Sequence, residues 1–139
     1  MIKKSNKGFT LIELLATVTM LGILTGLAIQ AYYRYVVKTQ EKAYDFLANS
    51  AISATEDYLM DHQNVDQVDF DTLIEKQYLE SAKDPADKEN NCRGLVHIIK
   101  NDGDLEKLDK NDFIVYMCCS RKNITYRNKS KEETETCNA

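Results

Sequence analysis

Residues 8–35 read GFTLIELLATVTMLGILTGLAIQAYYRY, and between Phe9 and Tyr33 the only charged side chain is that of Glu13. A helix of about 20 apolar residues crosses the hydrocarbon core of a bilayer, so this run is long enough to span. Before it stands MIKKSNKG, with Lys3, Lys4 and Lys7 and no acid. That charge step favours a cytoplasmic N-terminus, although Arg34, Lys38 and Lys42 follow the run closely. The carboxylate of Glu13 is the anomaly. An acid well inside hydrocarbon costs roughly 2.5–3.5 kcal/mol on insertion scales, so it implies a partner, most simply a cation from another copy of the chain.

Lys7-Gly8 followed by Phe9-Thr10-Leu11-Ile12-Glu13-Leu14 resembles the cleavage and methylation signal of type IV pilins and pseudopilins. The resemblance implies a cut between Gly8 and Phe9 by a dedicated membrane peptidase, which then methylates the new N-terminal Phe9. It also implies that Glu13 pairs with the N-terminal amine of a neighbouring subunit in a filament. The match covers about the first quarter of the chain. It departs from the family pattern at Gln30, where relatives usually carry a helix-kinking proline; the sole proline here is Pro85. Gly22 and Gly26, spaced G-x-x-x-G, are the intrinsic weak points, each costing about 1 kcal/mol against alanine. They read equally as close helix–helix packing positions or as a place where the helix melts.

The competing reading is an ordinary secretory signal, with Gly26-Leu27-Ala28 as a small-x-small cleavage site. Against it stand Glu13 inside the apolar core and a run longer than the usual 7–15 residue signal core.

Mean hydropathy is −0.46 despite the apolar run, so the remainder is strongly polar. Loss of the three leader lysines takes the basic count from 18 to 15 against 22 acids, a net charge of −7. That balance argues against binding nucleic acid through the bulk surface, and no basic run interleaved with aromatics is present.

From Tyr32 to about Met60 the pattern turns amphipathic. Val36, Val37, Ala43, Tyr44, Leu47, Ala48, Ala51, Ile52, Thr55, Tyr58 and Leu59 recur mostly at steps of three and four, while Arg34, Lys38, Glu41, Lys42, Asp45, Asn49, Glu56 and Asp57 fall mostly on the other face. Phe46 lies off the stripe. No breaker separates this segment from the apolar run, which predicts one helix from Phe9 to about Met60, roughly 75–80 Å long at 1.5 Å per residue. Tyr32, Tyr33 and Tyr35 suit an interfacial aromatic belt. Residues 61–69 read as a polar helix end, 70–76 as a short helix capped by Asp71, and Lys83-Asp84-Pro85 as a turn.

Residues 95–99 and 113–118 are β-branched runs that read as a hairpin with a long loop, and 124–126 as a weaker third strand. Asp102, Asp104, Asp109 and Asp112 read as turn residues rather than as a calcium loop. The tail from Lys129 is charged, and loose unless tied down.

Cys92, Cys118, Cys119 and Cys137 all lie downstream. An even cysteine count in a small exported domain reads as a disulfide framework. Joining adjacent Cys118 and Cys119 would be strained, which leaves Cys92 with one of them and Cys137 with the other; Cys92–Cys119 with Cys118–Cys137 is preferred. With no C-x-x-C pair and only His62 and His97, no metal site or cofactor is expected.

The expected class is α+β: a long N-terminal helix packed by its distal half on a small antiparallel sheet. The expected organisation is a leader at 1–8, a membrane or filament-core helix at 9–35, and an exported domain at 36–139. With no catalytic constellation, function is expected to lie in assembly as a type IV pilus subunit. The partners implied by the resemblance are other copies and related pilins, the prepilin peptidase, the pilus assembly platform and the cytoplasmic membrane. The alternatives are a pseudopilin of a secretion or DNA-uptake system, or an anchored or secreted domain that never polymerises.

Overall fold

The computed structural model describes residues 8–62, 64–99, 108–127, 130–134 and 137. Lys3, Lys4 and Lys7 and the loop carrying Asp102 and Asp104 lie outside the described residues. The chain divides into two units, Met1–Thr39 and Gln40–Ala139.

One helix, α1, runs over Leu11–Asp61 without interruption at Gly22, Gly26 or Gln30. Its start is set by Thr10, whose side chain and backbone engage Glu13 in a reciprocal cap described below. In the first unit the apolar side chains have no cover. Phe9 is 81% exposed, Leu11 86%, and the large apolar residues through Tyr35 are all at least 58% exposed. The hydroxyls of Thr17, Thr19 and Thr25 donate back to the carbonyls of Leu14, Ala16 and Leu21 at 2.8, 2.9 and 2.7 Å. Those threonines therefore demand nothing from the surroundings, as an apolar environment requires.

The second unit is an α+β arrangement. After α1 come β1 (Gln67–Asp69), α2 (Phe70–Glu75), β2 (Arg93–Ile98), β3 (Phe113–Cys118), β4 (Asn123–Arg127) and β5 (Ser130–Thr134). The strands form one antiparallel meander in sequence order. At its centre Val96 of β2 pairs with Val115 of β3, and Met117 of β3 with Ile124 of β4. These apolar side chains meet Tyr44, Leu47, Ala48, Ala51, Ile52, Thr55 and Leu59 of α1, together with Phe70 and Leu73 of α2, in one core. From Tyr44 to Leu59 the helical stripe read from the sequence is the face that α1 buries, with Tyr58 only half-buried; Val36 and Ala43 are half-buried and Val37 is exposed.

Three local readings need correction. The cap of α2 is Asp69 rather than Asp71: Asp69 Oδ2 accepts from the Thr72 N–H at 2.9 Å and Oδ1 from the Thr72 hydroxyl at 2.8 Å. Asp69 has extended backbone and directly precedes the first helical residue, whereas Asp71 is already inside the first turn. The polar stretch after α1 contains an edge strand, β1, whose Gln67 and Asp69 face solvent while Val68 is buried. The charged tail contributes β5, which registers Ser130 to Thr134 against Arg127 to Asn123.

Gly94 is required for space rather than for backbone freedom. A Cβ built there would lie 2.4 Å from the ring of buried Phe70. Gly94→Ala is expected to destabilise the chain by about 1–3 kcal/mol through overpacking. Combining it with Phe70→Leu should cost less than the sum of the two single changes. Strictly additive losses in thermal or denaturant unfolding would refute the contact.

Candidate functional site: the helix N-terminus and the disulfide-bonded end of the sheet

At the start of α1, Glu13 Oε2 accepts from the Thr10 backbone N–H at 2.9 Å and from the Thr10 hydroxyl at 2.7 Å. The Glu13 N–H donates to Thr10 Oγ1 at 3.4 Å. This is a capping box, in which a Thr and a Glu three residues on satisfy each other's orphan donors. Glu13 thus stands in the first turn with its carboxylate turned back toward Thr10, close in sequence to Phe9. Gly8 and Phe9 precede the helix and are exposed. Gly22 and Gly26 lie within it, and a Cβ at either would meet nothing within 4 Å. Among the described residues of the single chain, then, no packing demands glycine at these positions.

The cysteines lie in the second unit. Cys92 is joined to Cys119, with Cα atoms 4.3 Å apart, and Cys118 to Cys137, with Cα atoms 5.6 Å apart. The first bond ties the segment before β2 to the residue after β3, and the second ties the end of β3 to the C-terminal tail. Sulfur atoms of Cys92 and Cys119 lie within 4.8 Å of a carboxylate oxygen of Asp84, a spacing compatible with metal ligation. Both sulfurs are bonded to each other, however, so the trio offers no thiolate.

Asp84 is the residue whose role the sequence did not disclose. It is fully buried, and its carboxylate collects three donors. Oδ1 accepts from the Tyr44 hydroxyl of α1 at 2.9 Å and from the Ala86 N–H at 2.8 Å. Oδ2 accepts from the Ser120 N–H at 2.8 Å. The bond to Ala86, two residues on, is the turn that Asp84-Pro85 announces. The bonds to residues 40 and 36 positions away leave no local signature. Burial pushes the Asp84 carboxyl up, but the Ala86 and Ser120 N–H groups and the Tyr44 hydroxyl outweigh it and hold the group below its usual 3.8. Burial and the Asp84 carboxylate together push the Tyr44 hydroxyl up to about 12.

A second tie-point gathers around Glu41, which accepts from the ammonium groups of both Lys122 and Lys131. The hydrogen bonds from these lysines hold the Glu41 carboxyl below its usual value. Asp45, one turn on, accepts from the Tyr126 hydroxyl at 2.9 Å, and Lys131 lies 3.5 Å from it. The sequence pattern places Glu41 and Asp45 on the polar face of α1; in the structure they fasten that helix to the β4–β5 region.

A small α+β unit with disulfides at one end of its sheet, preceded by an uncovered apolar helix with Glu13 in its first turn, defines a pilin-like subunit with a membrane-length anchor. Comparison with known proteins agrees. Residues 3–29 match the prokaryotic N-terminal methylation motif. The chain is 30% identical over 111 residues to the type IV major fimbrial protein FimA of Dichelobacter nodosus, covering 68% of each chain. It is 39% identical over 61 residues to the fimbrial protein EcpC of Eikenella corrodens, covering 44% of this chain and 40% of that one. Over 56 residues it is 39% identical to the type IV major pilin protein PilE of Neisseria gonorrhoeae, covering 40% of this chain and 34% of that one. With EcpC and PilE, therefore, the likeness spans less than half of the relative. No solved structure matches. The chain belongs to the type IV pilin family.

The pH dependence follows from Asp84 and Tyr44. A carboxyl depressed by folding contributes stability that is present above about 3.8 and lost as pH falls through the folded value. A tyrosine raised by folding contributes stability that is complete below 10.0 and lost as pH rises through about 12. The unfolding midpoint of the second unit should be flat near neutrality and fall on both sides. Asp84→Asn should cost about 1–3 kcal/mol at neutral pH, because an amide N–H₂ then opposes one of the donors. It should also blunt the acid limb. An unchanged acid limb in the variant would contradict this role.

Proposed function

We propose that the chain is a structural subunit of a type IV pilus, cut between Gly8 and Phe9, methylated at Phe9, and polymerised through residues 9–35. The observation that carries this reading is the uncovered apolar length of α1 with a single carboxylate in its first turn. Before assembly the segment lies in the cytoplasmic membrane, leader inward, and residues 36–139 are exported. In the filament the same apolar surface is covered by the corresponding helices of other copies.

Glu13 neutralises the Phe9 amine of a neighbouring subunit. Its capping contact with Thr10 keeps the carboxylate hydrogen-bonded while the subunit waits in lipid, where a bare acid costs roughly 2.5–3.5 kcal/mol. The prepilin peptidase and the assembly platform act on this N-terminal segment, and the disulfides hold the exported unit in an oxidising environment. The role is structural rather than enzymatic. The pilus is preferred to a pseudopilus because the relatives carry the names of fimbrial proteins and major pilins.

Sequencing of the mature protein should begin at methylated Phe9; Ile29 would indicate signal-peptidase cleavage and Met1 an uncut anchor. Glu13→Ala should leave insertion and cleavage intact while sheared filaments disappear. Wild-type filament yield from that variant would overturn the assembly role. Where the polymerised helix loosens, it should do so between Gly22 and Gly26, since Gln30 keeps the amide N–H that a proline would lack. A filament map with a break at Gln30 and regular helix across the glycines would contradict this.

A further inference from the structure

Phe46 has no explanation in the fold of a single copy. It is 74% exposed on α1, beside Leu47 and Ala48, which are buried. It rims a hollow of about 510 Å³ in the second unit, with Ser50 and Ser53 on the helix and Tyr78 and Glu80 on the segment after α2. Asp57 adds a second carboxylate to that lining. Asp57 and Glu80 are both exposed, and among the described residues no cation pairs with either. Tyr78, which also lines the hollow, is half-buried; its hydroxyl donates to Asp61 and its ring stands edge-on to that of Tyr58, with centroids 5.4 Å apart, so its oxygen is already engaged. Two aromatic rings and two unpaired acids accept a cation on an apolar stem, and a guanidinium best of all, because it stacks on rings and forks onto carboxylates.

The same chain carries such cations. Arg34, Lys38 and Lys42 are exposed at steps of four on α1, and among the described residues none is paired with an acid. Lys42 stands one turn before Phe46 on the helix that forms the hollow, which leaves Arg34 and Lys38 to engage another copy. Subunits each carrying a net charge of −7 after loss of the leader repel one another. Lateral contact between them therefore has to bring acids and bases together locally.

We propose that this hollow is a docking site for a second copy of the chain, whose Arg34 enters between Asp57 and Glu80 against the rings of Phe46 and Tyr78, with Lys38 on the rim. The inference rests on the filament reading and adds to it a contact outside the apolar core.

The test uses the full chain in cells carrying the assembly machinery, with sheared filament measured per processed subunit. Protease resistance of the membrane pool serves as the check on folding. Arg34→Glu and Glu80→Arg should each lower filament yield about tenfold or more, since each places like charges together at the contact. The double exchange should recover most of it, and processing should be unchanged throughout. Phe46→Ala should also lower the yield while leaving the membrane pool folded. Zero-length carbodiimide coupling of unsubstituted filaments should join Lys38 to Asp57 or Glu80 between copies. Single reversals that assemble normally, a double exchange no better than either single change, or coupling of Glu80 to a different protein would each overturn the docking site. If the unsubstituted chain forms no filament, the pilus reading fails and the docking site with it. Normal filaments from the single reversals would overturn the docking site alone.

Discussion

Apolar surface cannot be left in water, and α1 carries more of it than the rest of the chain can cover. Burying one large aliphatic or aromatic side chain is worth about 1.5–3 kcal/mol. Leu11, Ile12, Leu14, Leu15, Val18, Met20, Leu21, Ile23, Leu24, Leu27 and Ile29 are each at least 58% exposed. Their summed cost in water exceeds the 5–15 kcal/mol by which a domain is ordinarily stable. The chain therefore has to find lipid or copies of itself, and Glu13 is tolerable only while something satisfies its carboxylate. Thr10 does so in the single chain.

The second unit has the complementary design. Its core is made by the buried face of α1, by α2 and by the meander, and its polar connections are few and specific. Asp84 joins α1 to the segment before β2 and to the turn after β3, using three donors on one buried carboxylate. Glu41 and Asp45 join the same helix to β4 and β5. The disulfides act at the end of the sheet where Cys118 pairs with Asn123, so the C-terminal tail is held by Cys137 as well as by strand pairing.

What could be read from the sequence depended on how local its cause was. The apolar run, the motif around Gly8, Phe9 and Glu13, and the helical stripe from Tyr44 to Leu59 are local patterns, and with them the α+β class was legible. Strands β2 and β3 were legible because both are β-branched runs. β1 and β5 were not, because Gln67-Val68-Asp69 and residues 130–134 lie at the sheet edges, where hydrogen bonding to a neighbour replaces an apolar signature. Asp84 was visible as a turn residue, but its bonds to Tyr44 and Ser120 span separations that no local pattern records. Glu41 and Asp45 looked like solvent-facing charges because their partners are more than 80 positions away.

The central claim is that the apolar surface of residues 9–33 is covered by the same residues of other copies, with Glu13 meeting a neighbour's N-terminal amine. A side-chain-resolution map of native filaments tests it most directly. The account predicts a core made of α1 segments alone, beginning at Phe9, with each Glu13 carboxylate within hydrogen-bonding distance of the Phe9 nitrogen of an adjacent subunit. A filament whose core lacks these segments, or in which Glu13 faces no neighbouring amine, would contradict it.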